Sequence, residues 1–173
     1  MIEIKDKKDC VGCTACTEIC PKKCIQMKPD EEGFLYPVVD KSRCVECNAC
    51  NTVCPIQNPV TEEEKPQKAY LVQHSDEKVR LDSSAGGAFT AIATVVLQKG
   101  GVVFGAAYDE NFQVRHTYVE TIDDLKKFRN SKYVQSKLGD SFHMVKDFLR
   151  KGRWVCFSGT PCQIEGLSKF LRK

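Results

Sequence analysis

Nine of the eleven cysteines in this 173-residue chain lie between Cys10 and Cys54, in two runs. The runs are Cys10-x2-Cys13-x2-Cys16-x3-Cys20-Pro21 and Cys44-x2-Cys47-x2-Cys50-x3-Cys54-Pro55. Each cysteine of the first recurs 34 residues later, and Val11/Val45, Ala15/Ala49 and Pro21/Pro55 recur with it. An internal repeat with this spacing is the arrangement that holds iron–sulfur cubanes. Thiolates at i, i+3 and i+6 of a tight loop point around one corner of a cluster. The fourth, carried away by the start of a helix, reaches the neighbouring cluster. The spacing therefore assigns one [4Fe–4S] cluster to Cys10, Cys13, Cys16 and Cys54, and a second to Cys44, Cys47, Cys50 and Cys20. Zinc rarely uses three cysteines at consecutive x2 spacing followed by Cys-Pro, and a disulfide framework fits the pattern less well still.

The residues around the thiols fit such a site. Pro21 and Pro55 lock the backbone just past each exchanged cysteine, and Gly12, Ala15 and Ala49 are small enough for close approach. Cys24 stands outside the repeat, since its counterpart is Asn58. An alternative ligand and a small buried apolar residue are both open to it, and packing is the more ordinary role.

Composition divides the chain in two. Six of seven prolines fall in residues 1–68 and nine of eleven glycines after them. Residues 1–68 carry 10 basic and 12 acidic side chains, and residues 69–173 carry 16 and 11. The mildly basic second part suits an anionic cofactor or an acidic redox partner and is too weak to argue for nucleic acid. No apolar run approaches a membrane span, and Met1–Lys8 has no signal-peptide core. Metal-type cysteine spacing without an export signal reads as a cytoplasmic protein.

The expected fold class is α+β: a ferredoxin-like dicluster domain over residues 1–60, a charged linker over 61–68, and an α/β domain with a mixed sheet over 69–173. In the first, Phe34–Val39 reads as a strand, and the clusters supply the core that side chains do not. In the second, Ala69–Gln73 reads as a strand and Ser83–Gly87 as the opening of a helix to about Lys99. That helix places Phe89, Ile92, Ala93, Val96 and Leu97 on one face. Val102–Tyr108 and Phe112–Tyr118 are strands about a turn at Asp109–Asn111. Thr121 caps a short helix to about Phe128. A helix over Asp140–Lys151 buries Phe142, Val145, Phe148 and Leu149. Trp154–Phe157 reads as a buried strand, and a last helix carries Ile164, Leu167, Phe170 and Leu171. The sequence stops inside that helix, which reads as the N-terminal part of a longer, C-terminally truncated protein.

Two loops carry further candidate chemistry. Ser83, Ser84, Gly86 and Gly87 place hydroxyls and glycines at a helix start, where unpaired N–H groups favour an anion such as a cofactor phosphate; a plain N-cap has the same composition. Cys162, following Pro161 in Gly159–Gln163, sits where a helix start lowers a thiol's pKa. Metal ligation, redox work and plain packing are all open to it. Cys156 reads as core. Lys132 and Tyr133 in the loop over Asn130–Ser136 could face a phosphate and a ring or belong to an ordinary loop. His74, His116 and His143 show no ligand spacing and read as solvated or hydrogen-bonded structural residues.

At Ser83–Thr90, Gly100–Asp109, Ser131–Ser136 and Phe157–Gln163 the sequence resembles the beta-subunit family of the coenzyme F420 (deazaflavin) hydrogenases and dehydrogenases. The cysteine-rich part is similar to family members with a fused ferredoxin, and Ala85, where relatives often have glycine, departs from the pattern. The resemblance implies an oxidoreductase carrying FAD, passing electrons between the clusters and a deazaflavin or related small-molecule acceptor, with a redox partner protein or subunit. It implies that the Ser83–Gly87 loop and the loop of Ser131, Lys132 and Tyr133 border the flavin. It also implies that Cys162 helps hold a further [4Fe–4S] cluster whose other ligands lie beyond Lys173. The alternative is a ferredoxin-like carrier whose second domain only docks a partner.

Overall fold

A computed structural model describes residues 1–59, 66 and 68–172. Contacts divide the chain into two units, one of Met1–Glu63 with Gly159–Lys173 and one of Glu64–Ser158. Most of the linker expected over 61–68 lies outside the described residues.

In the first unit the repeat extends to the backbone. Each cysteine loop ends in a single helical turn, α1 (Ala15–Glu18) and α2 (Ala49–Thr52). Each turn is entered through a left-handed residue, Thr14 at φ 59° and Asn48 at φ 61°. Between them lie β1 (Ile25–Pro29) and β2 (Leu35–Val39), antiparallel with Ile25 opposite Val39. Their turn is closed by Asp30, whose Oδ1 accepts from the N–H groups of Glu32 and Phe34, and by Gly33 at φ +88°. The interior is Ile2, Cys16, Cys24, Ile25 and Cys50, with Ile4, Ile19, Cys20, Val39, Cys44 and Cys54 against it. Thiols thus take the place that larger side chains fill in ordinary cores.

The second unit contains α3 (Glu77–Leu81), α4 (Ala88–Gln98), β3 (Val102–Tyr108) and β4 (Val114–Val119). A 3-10 helix (Asp123–Phe128), α5 (Ser141–Arg150) and β5 (Val155–Phe157) follow. The sheet order is β4-β3-β5, antiparallel on one side of β3 and parallel on the other, which makes it the expected mixed sheet. Alternation along β3 serves two faces. Val103 and Ala107 meet Ala93 and Leu97 of α4 and Leu125 and Phe128 of the 3-10 helix. Phe104, fully buried, turns the other way to Tyr118, Phe148 and Phe157, with ring centroids 5.5, 6.1 and 5.9 Å away. Phe142 and Val145 of α5 are buried as expected.

Several expectations are corrected. Ala69–Gln73 forms no strand; no strand among the described residues pairs with it, and Leu71 is wholly exposed. Ile92, expected on the inner face of α4, is 62% exposed, because the face that meets β3 is narrower and centres on Ala93 and Leu97. Trp154 lies outside β5 and is exposed, its ring 4.2 Å from the Lys99 ammonium. Ile164 is also exposed. The short helix α3, capped by Asp76 Oδ1 accepting from Lys78 and Val79 N–H, had a readable signal in Ser75-Asp76-Glu77.

The last helix, α6 (Pro161–Leu171), opens with Pro161 and a capping box between Thr160 and Gln163. It buries Leu167 and Phe170. By contacts it groups with the cysteine-rich unit, whereas composition had placed it with the α/β unit. Gly166 permits this: a Cβ there would stand 3.3 Å from Ala15 Cβ and 3.4 Å from Cys13 Sγ. No helix among the described residues is long and apolar enough to cross a membrane.

Candidate metal centres

The first unit holds two cavities, each walled by one cysteine loop plus one thiol from the other. The first, partly open to solvent, is lined by Cys10, Cys13, Cys16 and Cys54 with Ile2, Ile4, Met27, Pro37 and Ile56 among its walls. The second is lined by Cys44, Cys47, Cys50 and Cys20, together with Cys24, Ile25 and Val39. The helical turns cause this exchange. Each begins within its loop and carries the last cysteine of the run towards the other half. Among the described residues no group of three or more His, Cys, Asp or Glu side chains closes on a single ion. The thiols border a space.

The electrostatics of the first cavity suit a cationic occupant. Burial pushes Cys16 up to about 12, with Cys13, Cys10, Cys54 and Cys50 adding to it. Burial pushes Cys13 up to about 11, against the N–H of Ala15, with Cys162, Cys54 and Cys10 adding. Cys10 is raised by burial against the N–H of Gly12, with Cys54 adding. Such thiols become thiolates when a bound metal centre supplies positive charge. The N–H groups of Gly12 and Ala15 are aimed at sulfur, and Ile2 N–H donates to Cys50 Sγ at 3.1 Å in the other half.

The second cavity contains a fifth thiol. Cys24 Sγ lies 3.4 Å from Cys20 Sγ. Burial raises Cys20, but the N–H and thiol of Cys24 and the N–H groups of Lys22 and Lys23 outweigh it and bring the pKa below the ordinary value. Cys24 goes up, by burial first and then through Cys20 and Cys44. Of the pair, Cys20 is therefore the one that gives up its proton more readily. The sequence weighed packing against ligation for Cys24 and had no signal for this contact.

Two thiol-lined cavities with apolar walls, joined by an exchange of the last cysteine of each run, are the architecture of an iron–sulfur electron-transfer domain. Residues 9–58 match the 4Fe-4S dicluster domain, so the N-terminal part of the chain carries such a domain. No curated protein matches the chain.

Cys162 sits beside the first cysteine loop. Its thiol faces Val11 O at 3.9 Å and Thr160 Oγ1 at 3.2 Å. Cys156 is half-buried against the core of the second unit, which raises its pKa.

Among the other candidates, Ser83 Oγ donates to Val79 O at 2.6 Å and Ser84 Oγ to Asn130 Oδ1 at 2.8 Å. Gly86 and Gly87 take φ of +51° and +80°, and Gly87 is the N-cap of α4, with no side chain to cap the first-turn N–H groups. A Cβ on Gly86 would lie 2.6 Å from Val72 O, so the close approach requires glycine there. Ser131 and Tyr133 are exposed. Lys132 is half-buried, its ammonium donating to Lys127 O at 3.0 Å and Arg129 O at 2.7 Å, and burial lowers its pKa. The structure thus joins the two loops through Ser84–Asn130 and the Arg129–Asp82 ion pair at 3.3 Å. Asn130 was not among the residues singled out from the sequence.

Proposed function

We propose that the protein is a cytoplasmic iron–sulfur flavoprotein oxidoreductase in which two [4Fe–4S] clusters exchange electrons with FAD on the α/β unit. FAD in turn would serve a deazaflavin or related small-molecule acceptor, with a redox protein or subunit as partner. The observation that carries this reading is the pair of cavities, each walled by the three thiols of one loop and the last thiol of the other run, with Cys24 added in the second. Cys10, Cys13, Cys16 and Cys54 would hold one cluster and Cys44, Cys47, Cys50 and Cys20 the other. Clusters supply one-electron steps, and a flavin divides a two-electron hydride into such steps. The chain's own work is to fix the sulfurs, donate N–H groups to them and exclude water with Ile2, Ile4 and Met27.

Support for the flavin is the resemblance together with the Ser84–Asn130 bond, which draws the two expected cofactor loops side by side. The uncapped first turn of α4 offers N–H groups for a phosphate. Cys162 would join a further cluster only with ligands outside residues 1–173. One observation favours the second reading, a carrier whose α/β unit docks a partner: Lys132 and Ser83 already spend their polar groups on backbone carbonyls. Iron, acid-labile sulfide and flavin quantitation on anaerobically purified protein separates the two. Iron and sulfide for two clusters with stoichiometric FAD supports the flavoprotein. Clusters without flavin support the carrier, and a colourless, iron-free protein removes both.

A further inference from the structure

The two halves of the cysteine repeat meet different surroundings. The first loop is covered by α6, with Gly166 against Cys13, and Cys13 is only 8% exposed. In the second loop Cys47, the repeat partner of Cys13, is exposed, and so are Val45 and Asn48 beside it.

The exposed loop is edged by charge. Lys22 and Lys23 follow Cys20-Pro21, Lys41 and Arg43 precede Cys44, and all four are exposed. Arg43 Nη2 donates to Lys22 O at 3.0 Å, which ties the two basic segments into one rim. The acids on the same segments are Glu46 and Asp40, and the Asp40 carboxylate is occupied by the N–H and hydroxyl of Ser42. The repeat positions of Lys22, Lys23, Lys41 and Arg43 in the other half are Ile56, Gln57, Lys7 and Asp9. A cluster on four thiolates is negatively charged in either half. The basic residues before the first loop, Lys7 and Lys8, pair with Asp30 and Asp6, so offsetting that charge does not explain the larger basic cluster at the second.

We propose that the basic rim around Cys44, Cys47 and Cys50 is the docking face for an acidic redox protein, and that electrons cross to that partner there and not at the covered loop. This rests on the reading that these cysteines hold a cluster. Opposite charge on the partner steers the encounter and sets its orientation. The exposed apolar surface of Val45 and Pro21 gives the contact a centre where the donor and acceptor centres come close. The step is an outer-sphere transfer of one electron, with no bond made or broken: one centre is oxidised and its partner reduced.

The whole protein, reduced anaerobically and freed of excess reductant, is mixed in stopped flow with oxidised flavodoxin as the acidic protein probe. Hexaamminecobalt(III) serves as the cationic probe. Lys22→Glu and Lys41→Glu are compared with Lys126→Glu, which makes the same change of net charge in the second unit. The rim variants should slow oxidation by flavodoxin several-fold at low ionic strength and speed it with the cobalt complex. Salt should erase both effects, and Lys22→Arg should keep the parent rate. Equal effects from rim and control variants, in protein whose cluster absorption is intact, would overturn the docking face. Absence of cluster absorption in the parent would instead remove the reading beneath it.

Discussion

At the scale of single residues, the proximity of Cys24 to Cys20 decides how the cluster assignment must be tested. A thiol 3.4 Å from the exchanged cysteine could take its place, so the clean variant removes both. Cys20→Ala/Cys24→Ala should lose about half of the bound iron, by assay, and the EPR signal of the cluster built on Cys44, Cys47 and Cys50. Loss confined to the cluster on Cys10, Cys13 and Cys16 would refute the exchange. His116 gives a pH prediction. Its ring stacks on Phe157 with centroids 5.0 Å apart, Nε2 donates to Ser158 O at 2.9 Å and Nδ1 accepts from Ser136 Oγ at 2.8 Å. Burial holds its pKa below the ordinary value, with the Ser158 carbonyl opposing. The unfolded chain therefore binds a proton that the folded one resists. The stabilisation is whole above about pH 6.5 and is lost as pH falls towards the lowered folded value. The urea midpoint of the second unit should fall between pH 7 and 5.5, and less so in His116→Gln. The eight repeat cysteines were legible because ligand spacing is local. The part of Asn130 was not, because Ser84 and Asn130 meet only in the folded chain. The Cys20–Cys24 contact was not, because Cys24 lies outside the repeat and its spacing to Cys20 carries no ligand pattern.

Among the elements, β3 carries the second unit, and its two faces answer differently to substitution. Phe104→Ala removes a buried ring touched by three others and should cost about 3–5 kcal/mol. Gly105→Ala would put a Cβ 2.8 Å from Phe128 Cγ, and displacing that ring should cost about 1–3 kcal/mol. Urea titrations check both; a neutral Gly105→Ala would show that the 3-10 helix yields freely. The β3–β4 hairpin was readable from its pattern because Asp109 closes it alone. Its Oδ1 accepts from Asn111 and Gln113 N–H at 2.9 Å each, and Arg115 Nε donates to Oδ2 at 2.7 Å. Residues 69–73 have the apolar composition of a strand, but a strand requires a neighbour, and composition does not supply one. The exposure of Ile92 on α4 has a related reason: periodicity marks an apolar face without saying how much of it a partner reaches.

For the whole molecule, the two units should respond separately to loss of iron. The first has an interior made largely of thiols, so a chelator acting on the reduced protein should abolish its structure. The second is held by Phe104, Leu125, Phe142 and their neighbours and should persist. Hydrogen exchange resolved by segment checks this: protection should vanish over residues 1–59 and remain over 102–119. Equal loss in both would mean that the sheet depends on the clusters.

The packing of α6 on α1 has a consequence for biosynthesis. At about 5–20 residues per second, Gly166 is translated on the order of ten seconds after Cys13. Throughout that interval the Cys10–Cys16 loop stands uncovered and accessible to an iron donor, and the window narrows once the late helix docks. Cys47 of the Cys44–Cys50 loop is exposed with α6 in place, so in the folded unit that loop stays accessible for repair.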